Sequence, residues 1–184
     1  MSWDSLTAAA LATALVAGCG YGILSSRDGT GATSVAVPPF ENRTFEPYVD
    51  ARVTERVRSR LLTAGPWRLV STPESADVVI RGIVTNFSVI TLSFDAANRP
   101  VEQRVAIAAD VTAAPKQGVP FHNTITATAE YRESADSLRT RTAKNRAIEE
   151  AAENVAQELT ARLSMHLQAQ GTSAPRPAPL PAAP

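Results

Sequence analysis

The chain has 184 residues, with 18 basic and 18 acidic side chains and a formal charge of zero, a balance that gives no electrostatic case for wrapping nucleic acid, whose backbone wants a concentrated basic face. Hydrophobic content of 44% beside 20% charged residues belongs to a folded domain and not to a disordered chain. A single cysteine excludes an internal disulfide, so packing alone must hold the fold.

The first feature along the chain is the run Leu6 to Gly18, LTAAALATALVAG, apolar or small throughout. It is too short to cross a bilayer as a helix, which takes roughly 20 residues, but it suits the hydrophobic region of a secretory signal. The run ends in Val16-Ala17-Gly18-Cys19, which reads as a lipobox. Small residues there admit the peptidase, and the thiol is the attachment point for diacylglycerol. A buried cysteine in a short hydrophobic helix is the plainer alternative, but position, run length and the small-residue ending all favour the lipobox. The segment MSWDS ahead of the run carries Asp4 and no basic residue, a departure from the usual positive leader. The expectation is a lipoprotein signal peptide over residues 1–18, then a lipidated N-terminus and linker over 19–33, rich in Gly, Ser and Thr. Gly20 and not Asp follows the cysteine; by resemblance to enterobacterial lipoproteins, that points to the outer membrane.

The folded domain is expected over residues 34–169. Ser34–Val37 reads as a short strand stopped by Pro38-Pro39, and Pro47 suits the first turn of a helix. Val49, Val53, Val57 and Leu61 then recur every fourth residue, one apolar helical stripe ending near Ala64-Gly65-Pro66. Trp67–Ser71 is another short strand. Val78–Phe94 is dominated by β-branched and aromatic residues and is long for a strand, with Gly82 as a bulge or a point of close approach. Val101–Val111 and Phe121–Tyr131 alternate with period two, which means a sheet with one covered and one wetter face. The DAANRP and PKQGVP segments between them are turn chemistry, predicting antiparallel hairpins. From Ser137 to Gln168 the period becomes helical, with Ala147, Ile148, Ala151, Ala152, Val155, Ala156, Leu159 and Leu163 on one stripe. Residues 170–184 are Pro/Ala-rich and cannot build a core, so a disordered tail is expected. The predicted architecture is α+β: a mostly antiparallel four-stranded sheet with two helices packed on one face.

Catalytic signatures are missing: the sequence has no G-x-S-x-G, no phosphate loop and no H-E-x-x-H. The two histidines, His122 and His166, lie on different predicted elements and make no metal set, so neither a metal nor a cofactor is expected. Arg52, Arg56 and Arg60 recur at i, i+4 and i+8 on the first helix. Such a row could grip phosphates bidentately, but a solvated face opposite the valine stripe is the commoner arrangement.

Several segments taken together resemble the lipopolysaccharide-assembly lipoprotein family, LptE-like proteins. They are Pro39-Phe40-Glu41-Asn42-Arg43-Thr44 for P-F-x-N-x-T, Glu46-Pro47 before the helix, Ala76-Asp77 to Gly82 for A-D-x-x-[IL]-x-G, and Tyr131-Arg132-Glu133-Ser134 for Y-x-x-S. The resemblance implies a non-enzymatic outer-membrane lipoprotein facing the periplasm, which plugs the LptD β-barrel and assists its assembly for lipopolysaccharide export. In members that contact lipopolysaccharide, basic residues near the sheet end and adjoining loops do so. The nearest counterparts by position are Arg99 and Arg139. Because the opening motif also occurs in other envelope lipoproteins, a periplasm-facing adaptor for a cell-wall synthase or secretion pore is the alternative.

Overall fold

The computed structural model describes residues 32–172. Cys19, the expected signal peptide, the expected linker up to residue 31 and the expected tail from residue 173 lie outside the described residues, while Thr33 of that linker belongs to a strand and residues 170–172 of that tail to the last helix. The elements in chain order are β1 (Thr33–Ala36), β2 (Glu41–Asn42), α1 (Val49–Thr63), β3 (Trp67–Leu69), a 3-10 turn (Pro73–Ser75), β4 (Val78–Phe94), β5 (Pro100–Pro115), β6 (Phe121–Arg132) and α2 (Ser137–Thr172).

The fold is α+β, but the sheet is a mixed one of six strands, not a mostly antiparallel one of four. Its order is β3-β1-β4-β5-β6, with β2 also on β4. The pairs β1·β3, β1·β4 and β2·β4 are parallel, while β4·β5 and β5·β6 are antiparallel. The parallel part follows from connectivity. A strand that returns to its sheet through a helix, as β1 does through α1 to β3, comes back in its original direction. Strands of two to four residues are too short to carry a readable period, so their sequence did not announce this.

The helical stripes behave as their spacing predicts. Val49, Val53, Val57 and Leu61 of α1 are fully buried, as are Ala151, Ala152, Val155, Ala156, Leu159 and Leu163 of α2. They close over Ile80, Val84, Val105, Ile107, Ala109, Val111 and Ile125 of the sheet to form one core. α1 begins later than Pro47 suggested, after Tyr48, which sits in the left-handed region at φ 63°. α2 is started by Asp136, whose Oδ1 accepts the Leu138 amide at 2.8 Å. At its far end Gln170 bonds both backbone groups of Val119, clamping the β5–β6 turn.

Two local devices join the parallel and antiparallel parts. Gly82 is a close-approach point and not a bulge: a Cβ there would fall inside the Phe40 ring, which is itself buried. The register shifts lie further on, between Val84 and Asn86 and again around Ser93. The first shift reverses the alternation, so that Phe87, opposite Ile107, faces the helices where Val84 did. The second device is at the start of β4. The Asp77 carboxylate accepts the Ser34 amide at 3.1 Å and the Ser34 hydroxyl at 2.5 Å, and the Asp77 amide donates back to Ser34. This pins β1 to β4 and accounts for the Asp of the A-D motif. The bond from the Ser34 hydroxyl, opposed in part by burial, holds the Asp77 carboxyl below its usual range.

Two predictions follow from these contacts. Gly82→Ala should destabilise the domain by about 1–3 kcal/mol through overpacking, and in a Phe40→Ala background the same change should cost far less. Chemical denaturation of the four proteins checks this; equal costs in both backgrounds would refute the ring–glycine contact. Because the folded pKa of Asp77 is depressed, its contribution is present above the unfolded value near pH 4 and lost as pH falls through the folded value. Asp77→Asn should therefore lower stability by about 1–2 kcal/mol at pH 7, and the gap to wild type should close as melts are taken toward pH 2.

Candidate partner-binding surface

The end of the domain opposite Ala32 collects the loop after β2, the β4–β5 hairpin and the first turns of α2. The loop is built around Asn42. Its Oδ1 accepts the Thr44 amide at 2.9 Å and the Thr44 hydroxyl at 2.8 Å, while its Nδ2 donates to the Glu46 carbonyl at 2.9 Å. The Thr44 hydroxyl also accepts the Glu46 amide at 3.3 Å. These bonds explain the N-x-T spacing, since Asn and Thr side chains stand in for backbone partners in turns. Behind the loop, the buried Thr54 hydroxyl of α1 accepts the Phe40 amide at 2.9 Å. The loop so held presents Phe45 fully exposed, with Tyr48 also largely exposed. Glu46 is paired at 3.1 Å with Lys144 of α2, whose ammonium lies 5.4 Å from the centre of the Phe87 ring.

Two arginines of the α1 row, Arg52 and Arg56, are held by the neighbouring helix and do not stand freely solvated. Arg52 and Arg56 both pair with Glu149 of α2, at 3.2 and 3.0 Å. Arg58, beside the row, donates through Nε and Nη2 to the Val37 carbonyl at 3.0 and 2.6 Å. These guanidiniums tie α1 to α2 and to the chain leaving β1.

Arg99 sits at the hairpin tip, where Asp95 organises the turn. Asp95 Oδ1 accepts the amides of Ala97 and Arg99, both at 2.9 Å, and Oδ2 accepts the Arg99 guanidinium at 2.8 Å. The Arg99 amide is the main cause holding the Asp95 carboxyl below its usual range. Arg139 lies in the first turn of α2 and pairs loosely, at 3.6 Å, with Asp136. It borders a shallow cavity of about 340 Å³ with Leu138, Thr142, Ala143 and Arg146. The register, with the Glu133 amide on the Val101 carbonyl, puts the hairpin tip and the start of α2 at the same end of the fold. No ion pair or hydrogen bond joins Arg99 to Arg139.

His122 is on the exposed side of β6, with Nδ1 3.1 Å from the Thr112 hydroxyl. His166 is at the far end of α2, edge-on to Phe121. No group of three metal-ligating side chains occurs among the described residues, and no described helix is long and apolar enough to cross a membrane. The sheet face away from the helices carries Ala106, Ala108, Thr126 and Thr128 along its middle, with Asp110 beside Thr124 and the Arg104–Glu130 pair on the same face. Phe45 and Tyr48 escaped the sequence reading because an aromatic in a loop looks the same whether it packs or points outward. The N-x-T spacing was the one signal that their loop is rigid.

Asn42→Ala should cost about 1–2 kcal/mol, because it orphans groups in three bonds at once. Hydrogen exchange at the Thr44 amide should speed up by at least tenfold while amides in β5 keep their protection. Unchanged exchange at Thr44 would show that the loop does not depend on Asn42.

Comparison with known proteins follows the same lines. A family model described as lipopolysaccharide-assembly, LptE, matches residues 32–163. No curated protein matches the chain. Among solved structures, the rare lipoprotein B of Shewanella oneidensis aligns at 16% identity over 74% of this chain and 98% of that one, with a TM-score of 0.51. Lipoprotein B of Nitrosomonas europaea aligns at 10% identity over 76% and 86%, with a TM-score of 0.54. A hypothetical protein of Chlamydia trachomatis aligns at 12% identity over 75% and 99%, with a TM-score of 0.52. At such identities these likenesses speak to the fold alone.

Proposed function

The chain belongs to the lipopolysaccharide-assembly family LptE, and from that premise we propose that it is an outer-membrane lipoprotein that plugs the LptD barrel and helps it assemble for lipopolysaccharide export. The role is structural and not catalytic. The observation that carries it is the family match across nearly the whole described domain, from residue 32 to 163. The uncovered face of β5 and β6 supports it physically. Threonine hydroxyls and alanine methyls, with Asp110 and the Arg104–Glu130 pair among them, make a polar surface suited to a wet barrel lumen.

In this reading Cys19 is the tether, acylated after removal of residues 1–18 and followed by the linker of residues 19–33. More than one acyl chain is needed for stable anchoring, each buried methylene adding about 0.8 kcal/mol. Direct contact with lipopolysaccharide falls to the exposed guanidiniums at the distal end, Arg99 and Arg139. Asp95 already engages Arg99, so binding there would exchange a partner and not fill a vacancy.

The full chain, extracted in mild detergent from outer-membrane fractions, should bring down one large β-barrel protein. Cys19→Ala should keep the melting temperature of the domain yet leave the outer-membrane fraction. A wild-type chain that never recovers a barrel, with lipopolysaccharide export intact on its depletion, would favour an adaptor for another envelope machine. A Cys19→Ala chain that still fractionates with the outer membrane would remove the tether.

A further inference from the structure

The sheet has one edge that the fold leaves open. On the side of β4 away from β5, β1 pairs only at Val78–Val79 and β2 only at Ile83–Val84. The last bond in that lane is the Arg43 amide on the Val84 carbonyl. From Asn86 to Phe94 no described strand lies along β4 on this side. The stretch has no charge and no proline between Arg81 and Asp95, and Asn86–Thr91 pairs with β5 in unbroken register. Ile90 is 49% exposed and Phe94 56%, with Val89 and Leu92 also exposed.

An open, regular, uncharged edge of high β-propensity is a template for another strand. The same molecule blunts its other edges. β6 carries His122, Glu130 and Arg132 on its outer face, and Asn154 of α2 donates to its Thr128 carbonyl at 3.0 Å. β3 is three residues long. Only the β4 lane lacks such devices.

The chain cannot fill the whole lane itself. Residues 173–184 contain five prolines, which cannot donate to a ladder. The thirteen residues from Cys19 to 31 reach at most about 45 Å when fully extended. They enter at the start of β1, near the level of Val78, so they could reach the near part of the lane but not its far end, sixteen residues on and about 53 Å away. A second copy would have to pair antiparallel around Ile90. That sends the two N-terminal ends in opposite directions, about 80 Å apart along the strand, against two short tethers in one membrane.

We infer that the edge Asn86–Phe94 of β4 is completed by strand addition from the barrel partner, through an extended, uncharged segment of about eight residues with alternating apolar side chains. Main-chain bonds supply the affinity, and Val89, Ile90, Leu92 and Phe94 read the alternate side chains. Phe45 is carried on the loop that emerges at the near end of the lane, where it caps the added strand. A neutral segment is required because a charge set against this face would lose water without gaining a partner. This inference rests on the function proposed above.

The test uses the full acylated chain in cells, with Ile90→p-benzoylphenylalanine for photo-crosslinking and the Ile90→Lys/Leu92→Lys variant for disruption. Crosslinking from position 90 should give one adduct with the barrel, mapping to a single contiguous stretch of it. The same probe at Glu150, on the exposed surface of α2, should give none there. The double lysine variant should lower barrel recovery at least tenfold while circular dichroism and melting stay as in wild type, and Ile90→Val should restore recovery. A barrel that co-purifies with no adduct from position 90, and full recovery by the lysine variant, would overturn strand addition and leave the proposed function standing. An adduct of twice the chain's own mass would make the edge a dimer interface and overturn it as well. Failure of the wild-type chain to recover any barrel would sink both.

Discussion

The fold turns on the space a missing side chain leaves at Gly82. Phe40 is buried against that glycine, at the point where the chain passes from β1 to β2 along the same edge of β4. An aromatic ring seated there fixes how the two short parallel strands share one long partner. Thr54 then holds the Phe40 amide, which ties the arrangement to α1. Any Cβ at position 82 would push the ring out and with it the turn that sets the direction of the Asn42 loop. Interiors packed to crystal density do not absorb such a displacement cheaply.

Electrostatics here serves cohesion more than recognition. Arg52, Arg56 and Arg58 of α1 meet Glu149 or the Val37 carbonyl, Arg162 of α2 bridges Glu158 and Asn123, and Arg104 pairs with Glu130 across β5 and β6. Most of these pairs are partly exposed, where each is worth no more than about 1 kcal/mol. Their value is geometric, since they orient α1, α2 and the sheet relative to one another. Tyr131 sits at the margin of the same core, its hydroxyl donating to Gln103 at 2.9 Å. Burial first, and then the Glu133 carboxylate, raise its pKa and keep it a neutral donor.

The distribution of order has a functional consequence. Helices cover the sheet on one face and along most of its length, but α1 starts at Val49, so the distal half of β4 extends beyond it. A rigid loop, a hairpin and an uncapped strand edge therefore cluster at the end away from the membrane tether that the sequence implies. Under the proposed function that polarity would leave one end held and the other free to be bound.

The sequence by itself determined the long elements and the core. The valine stripe of α1, the alanine-rich stripe of α2 and the spans of β4, β5 and β6 were all legible, because a period repeated over ten residues or more leaves little choice of buried face. The motifs that place the chain in its family were legible too, whereas Gly82, readable as a bulge or a close approach, was decided by the Phe40 ring. What only the tertiary structure decided was everything resting on few residues or on distant partners. The direction of β1, β2 and β3 depends on the helix between them, not on their own side chains. The destination of Arg52 and Arg56 depended on a glutamate ninety residues away. A bulge after Val84 decides which face Phe87 and Ile90 take, and one residue of register carries no compositional signature. Whether a strand edge is paired is likewise a property of its neighbours, which is why the open lane of β4 could be seen only once the sheet was assembled.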